Sequence, residues 1–162
     1  MFIVSGERGT RFSIYFPSAE EAKENKAEES KTLPEGNGEL ILIVDDEENI
    51  RKATVATLTK FGYQTAVAVD GTDALAIYSQ KSDIIDVVIT DMAMPYMDGS
   101  ALIRALRKLN PELKIIAMSG LMNDGNTNEL RSLNVDSFLS KPFSADKLLT
   151  TLSAILHNPH AF

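Results

Sequence analysis

From residue 39 onward the chain alternates two hydrophobic patterns. Leu40-Ile41-Leu42-Ile43-Val44 is an unbroken apolar run, as expected of a strand buried on both faces. Asp86 to Thr90 and Leu113 to Met118 read the same way, and Tyr63 to Val69 and Ser137 to Leu139 predict two more strands. Between these runs the apolar spacing is helical. Ile50, Thr54, Leu58 and Phe61 share one face, with Gly62 as the stop. Thr72 to Ser79 predicts a short second helix. Ala101 to Leu109 carries Leu102, Leu106 and Leu109 on one face, and Pro111 lies just beyond it. A weak fourth helix is expected in the polar stretch Asn123 to Ser132, and a last helix over Ala145 to Leu156, with Leu148, Leu152 and Ile155 inward. Five strands alternating with five helices predict an α/β fold: a doubly wound parallel sheet with right-handed crossovers and helices on both faces.

The first 38 residues break this pattern. Residues 1–17 read as a strand-rich piece: Phe2-Ile3-Val4, a glycine-containing turn from Ser5 to Thr10, an alternating run Arg11 to Phe16, then Pro17. So short a piece cannot bury a core of its own. Residues 18–38 are rich in Ala, Glu and Lys and end in Pro34, Gly36 and Gly38, the composition of a solvated linker. The folded unit therefore spans residues 39–157, followed by a tail over residues 158–162.

Composition narrows the functional classes. The chain has 162 residues, 44% of them hydrophobic, with a formal net charge of -7. That charge argues against nucleic-acid binding, whose footprint is basic. The absence of cysteine excludes disulfide scaffolds, cysteine nucleophiles and thiolate metal sites, and is compatible with a cytoplasmic location. No apolar run reaches membrane-spanning length, and the start does not resemble a signal peptide.

The candidate chemistry lies at the ends of the apolar runs. Asp45-Asp46 follows the first strand, Asp91 the third, Ser119 the fourth and Lys141-Pro142 the fifth. In an open α/β sheet, ligands bind outside the carboxyl ends of the strands, so these groups should converge. Adjacent acids alone are more often a solvated turn or a helix start. Asp91 changes that reading, because three carboxylates at one edge repel unless a cation joins them, and Mg²⁺ suits hard oxygen ligands. Asp91 is then a candidate nucleophile toward phosphorus, with Ser119 and Lys141 as donors to the phosphoryl oxygens. A strand-end lysine is ordinarily a surface charge, but Pro142 permits a cis peptide that aims the amine inward.

These motifs, in this order, resemble the receiver domain of two-component response regulators. The resemblance rests on Ile41-Leu42-Ile43-Val44-Asp45-Asp46-Glu47, Asp91-Met92-Ala93-Met94-Pro95-Tyr96-Met97-Asp98-Gly99 and Lys141-Pro142-Phe143. It implies a flavodoxin-like sheet of order 2-1-3-4-5, phosphorylation of Asp91, and Mg²⁺ held by Asp45, Asp46, Asp91 and the carbonyl of Ala93. It also implies a switch in which Ser119 moves toward the phosphoryl group and Phe138 turns inward. By itself Phe138 reads as a core aromatic, which is compatible. The implied partners are a histidine kinase or histidine phosphotransfer protein, with a homodimer left open.

Two departures from the family pattern stand out. Ala93 and Leu121 occupy places where polar side chains can orient a hydrolytic water, which predicts slow loss of the phosphoryl group. Asn134-Val135 replaces a common Gly-Ala pair, and asparagine can still adopt the left-handed backbone that closes a helix. The run Gly6 to Pro17 resembles the last strands of a histidine-kinase ATP-binding domain, the arrangement of a hybrid sensor kinase. His157 and His160 lie in or beside the tail, so the chain is not expected to act as a kinase itself. Rival readings are a pseudo-receiver that only binds proteins and a phosphatase working through an aspartyl-phosphate. The phosphatase reading expects an acid where Ala93 stands.

Overall fold

In the computed structural model, residues 2–6, 9–13, 32–120 and 133–157 are described. The expected helix over 123–132, Leu121, residues 14–31 and the tail lie outside them. The chain divides into two compact units, Met1–Lys31 and Thr32–Phe162. In the first, β1 (Phe2–Gly6) pairs antiparallel with β2 (Gly9–Ser13), in register from Phe2↔Ser13 to Gly6↔Gly9.

The second unit holds β3 (Leu40–Val44), α1 (Glu48–Lys60), β4 (Gln64–Ala68), α2 (Gly71–Lys81), β5 (Ile85–Asp91), α3 (Gly99–Leu109), β6 (Lys114–Ser119), β7 (Ser137–Ser140) and α4 (Ala145–His157). Its five strands are all parallel, in the order β4-β3-β5-β6-β7. Counted from β3, this is 2-1-3-4-5, the expected order.

Alternation along each strand explains the unbroken apolar runs. Ile41 and Ile43 of β3, Val87 and Ile89 of β5, and Ile116 and Met118 of β6 join a core with Leu58 of α1 and Leu148, Leu149 and Leu152 of α4. Leu42, Val44, Val88, Ile115 and Ala117 face the other way, toward Ala74 and Tyr78 of α2 and Leu102, Ile103 and Leu106 of α3. At roughly 1.5–3 kcal/mol for each fully buried large apolar side chain, these two layers supply the main driving force for folding.

Helix starts differ slightly from the sequence expectation. Asp70 Oδ1 accepts from the N–H groups of Thr72 (2.8 Å) and Asp73 (2.9 Å), so α2 begins at Gly71. Asp98 Oδ1 accepts from Ala101 N–H (2.7 Å), so α3 begins at Gly99. At the far end of α1, Tyr63 N–H donates to Leu58 O (3.1 Å) and Gly62 N–H to Thr59 O (3.2 Å). This is a Schellman closure, and Gly62 sits at φ +86° as that closure requires.

Part of the expected linker is tied to that closure. Gly36 N–H donates to Phe61 O (2.7 Å) and Gly38 N–H to Gly62 O (3.1 Å), while Leu33 packs against the α1–α4 core. Gly36 lies flat on the Tyr63 ring, where a Cβ would come within 2.5 Å of ring carbon. Tyr63 is 3% exposed, and its hydroxyl has no hydrogen-bond partner among the described residues. Burial, assisted by the charge of Glu39, raises its pKa above the usual tyrosine value.

Two outcomes follow for stability. At Gly62 a side chain meets both a left-handed backbone and Gly36 O at 2.7 Å, so Gly62→Ala is expected to lower unfolding stability by about 1–2 kcal/mol or more in urea titrations. For Tyr63 the folded pKa is raised, so stability is full below about pH 10 and falls as pH climbs toward the folded value. Tyr63→Phe removes both this slope and an unsatisfied buried hydroxyl. It should be at least as stable as the parent at pH 7 and show a flatter decline above pH 10 in thermal melts.

Candidate functional site

The parallel register brings the acids together. Val44 pairs with Thr90, so the residues that follow, Asp45 and Asp91, emerge side by side at the carboxyl edge. Asp45 is fully buried, Asp91 is 4% exposed and Asp46 is exposed. One carboxylate oxygen from each lies within 4.8 Å of the others. This all-oxygen donor set, with one member open to solvent, fits a small hard divalent cation that keeps part of its water shell.

The backbone holding Asp91 is closely braced. Met92 N–H donates to Met118 O and to Asp91 Oδ1, both at 2.9 Å. Gly99 N–H closes the following loop onto Met92 O at 3.2 Å. A Cβ at residue 99 would stand 2.4 Å from Asp91 O, so only glycine lets α3 start this close to the acid.

Lys141 arrives from β7. Its N–H donates to Ser119 O at 2.8 Å, and its bond to Pro142 is cis. The ammonium, 14% exposed, donates to Asp45 Oδ2 (2.7 Å) and pairs with Asp91 Oδ1 (3.2 Å), while Glu47 Oε1 lies 4.0 Å away. Burial alone would lower the pKa of this ammonium. The hydrogen bond to Asp45 and the charges of Asp91 and Asp45 outweigh that and hold it above the usual lysine value. Lys141 is therefore charged throughout the neutral range.

The other expected residues take graded positions. Ser119 ends β6, half-buried, on the strand beside β5. Ala93 is exposed in the loop after Asp91. Phe138 is half-buried on β7 and packs against the α2–α3 core. Asn134 adopts φ +51°, the left-handed backbone expected of it.

Two contributors escaped the sequence reading. Glu47 N–H donates to Asp45 Oδ1 (2.8 Å), and the Arg51 guanidinium donates to Asp45 O (2.5 Å). With Lys141 on Oδ2, every oxygen of Asp45 has a donor. The available signal was weak: a basic residue one helical turn after an acid is ordinary on a solvated helix.

The loop after Asp91 has a distinct rim. Met97 N–H donates to Pro95 O at 2.8 Å, and the intervening Tyr96 sits at φ +65°. That is the rarer, positive-φ form of γ-turn, which costs a bulky residue about 1–3 kcal/mol. Tyr96 is nevertheless 97% exposed. On the opposite side of the acids, a largely apolar cleft of about 580 Å³ lies between α1 and the Lys141–Ala145 turn, bordered by Ile50, Ala53, Pro142 and Phe143.

Known proteins share this fold. A family model described as the response regulator receiver domain matches residues 41–153. The chain is 35% identical over 159 residues to "Sensor kinase CckA" of Brucella abortus (strain 2308), covering 92% of this chain and 17% of that protein. It is 33% identical over 123 residues to "Sensor histidine kinase RcsC" of Escherichia coli (strain K12), covering 76% of this chain and 13% of the relative. The chain thus spans less than a fifth of either relative's length. Among solved structures, chemotaxis protein CheY4 of Vibrio cholerae superposes with a TM-score of 0.69 at 30% identity, over 74% of this chain and 99% of that one. Response regulator TrrA of Thermotoga maritima, in complex with Mg²⁺-BeF, does so with a TM-score of 0.65 at 31% identity, over 73% of this chain and 99% of its own. On the match over residues 41–153 and the geometry of its carboxyl edge, the chain belongs to the response regulator receiver domain family.

Proposed function

We propose that Asp91 accepts a phosphoryl group from a histidyl phosphodonor, and that this receiver serves as one station of a two-component phosphorelay. The observation that carries the reading is the triad of carboxylates within 4.8 Å, bridged by the Lys141 ammonium between Asp45 and Asp91. A carboxylate oxygen of Asp91 attacks phosphorus as the bond from phosphorus to the donor nitrogen breaks, and the electron pair returns to the imidazole. Mg²⁺, held by Asp45, Asp46, Asp91 and the carbonyl of Ala93, would neutralise charge on the phosphoryl oxygens. Lys141 already holds one Asp91 oxygen and supplies a second positive charge, and Ser119 offers a hydroxyl to another phosphoryl oxygen. Phe138 packs in the α2–α3 core next to these strands, where a shift of Ser119 can be passed to it.

The match to a sensor kinase covers 92% of this chain, more than the receiver alone, and supports a hybrid-kinase origin. In that reading residues 1–17 close an ATP-binding domain, residues 18–38 link it to the receiver, and partners are a histidine kinase or phosphotransfer protein. The setting would be cytoplasmic; among the described residues no helix is long and apolar enough to cross a membrane.

Intact-mass spectrometry after incubation with Mg²⁺ and acetyl phosphate tests the assignment. One phosphoryl adduct is expected on the parent protein, lost when Mg²⁺ is chelated and absent from Asp91→Ala. An adduct that persists in Asp91→Ala would overturn it, and no adduct on the folded parent would favour a pseudo-receiver. Because Ala93 offers no polar side chain to orient a water, the adduct should decay over minutes or longer at neutral pH, and Ala93→Asn should shorten its life. A parent half-life of seconds would sink that expectation.

A further inference from the structure

We infer that Tyr96 is a specificity contact for the protein phosphodonor, an inference that rests on the phospho-acceptor reading of Asp91. Position 96 has the form of an outlier retained for use. An aromatic side chain occupies a positive-φ turn, yet it is 97% exposed. The turn beneath it is rigid. Met94 is buried, Met97 is seated where a Cβ at Gly71 would come within 2.6 Å of it, and Gly99 N–H closes the loop onto Met92 O. The backbone at Tyr96 is thus braced, so the ring projects from a set point and binding need not pay the ordering cost of a loose loop, only that of the side chain.

That place lies inside any protein donor's footprint. Asp91 can be reached only from the carboxyl edge, so a donor must cover the loops around it. A standard interface takes about 800 Å² from each partner, a disc of roughly 16 Å radius. Tyr96 is four residues from Met92 and three from Gly99, whose Cα abuts Asp91, so chain geometry keeps it within about 14 Å of the acid. Tyrosine is among the residues that most often carry interface energy. A small phosphodonor such as acetyl phosphate needs no such footprint, and Tyr96 should be silent toward it.

The test compares the parent with Tyr96→Asn and Tyr96→Phe. Asparagine tolerates positive φ and keeps the turn while deleting the ring; phenylalanine keeps the ring. Acetyl phosphate should charge all three at equal rates. The protein donor is Brucella abortus Sensor kinase CckA, loaded with ATP, with only the segment that matches residues 39–157 of this chain removed so that it cannot compete, and the part that matches residues 1–17 kept. Transfer from it to Tyr96→Asn should show a KM raised about tenfold or more with kcat little changed, and Tyr96→Phe should stay close to the parent. Equal KM values for the parent and Tyr96→Asn overturn the inference. So does a parent that acetyl phosphate charges but the kinase does not. Failure of acetyl phosphate to charge the parent would instead count against the phospho-acceptor reading itself.

Discussion

Everything at the carboxyl edge depends on one electrostatic balance: three carboxylates confined within 4.8 Å and one ammonium set between two of them. Like charges at such spacing repel by a few kcal/mol per buried pair at the effective dielectric of a protein. Lys141 offsets part of this, and a divalent cation would offset more. A fully buried Asp45 is tolerable because each of its oxygens has a donor: Arg51 on the carbonyl, Glu47 N–H and Lys141 on the carboxylate. The charge on Lys141 is therefore part of the fold as well as of the chemistry, since it joins the end of β7 to the ends of β3 and β5.

The scaffold fixes where those charges stand. The parallel register delivers Asp45 and Asp91 side by side, and Gly99 lets α3 begin against the Asp91 carbonyl with no intervening side chain. Asp91 ends a strand and Asp45 follows one directly, while the loop after Asp91 carries Tyr96 outward. On the proposed reading, phosphoryl chemistry and donor recognition would fall to different parts of one edge. Tyr96 would belong to the second part, and the cleft beside α1 borders the first.

The pattern of the sequence carried most of this. Unbroken runs such as Leu40 to Val44 signalled strands with two buried faces, and the acids at their ends signalled the edge where they would meet. Boundaries were less legible. The helix starts at Gly71 and Gly99 depend on the side chains of Asp70 and Asp98 turning back onto the backbone, a choice that periodicity does not record. The role of Leu33, Gly36 and Gly38 was hidden because two glycines in polar company read as linker; only the Tyr63 ring and the Gly62 turn explain them. Arg51 was missed because its partner is a main-chain carbonyl, which has no letter in the sequence.

The sheet separates two apolar layers, one under α1 and α4 and one under α2 and α3, and among the described residues no side chain belongs to both. Helices on opposite faces of one sheet are two layer spacings apart, about 20 Å, beyond the range at which substitutions usually couple. Changes in Leu102 or Leu106 on one side and in Leu148 or Leu152 on the other should therefore combine additively. For an evolving lineage this is a form of modularity. The helices of one face can be remodelled for a new listener while those of the other keep their fit, and neither adjustment has to wait for the other.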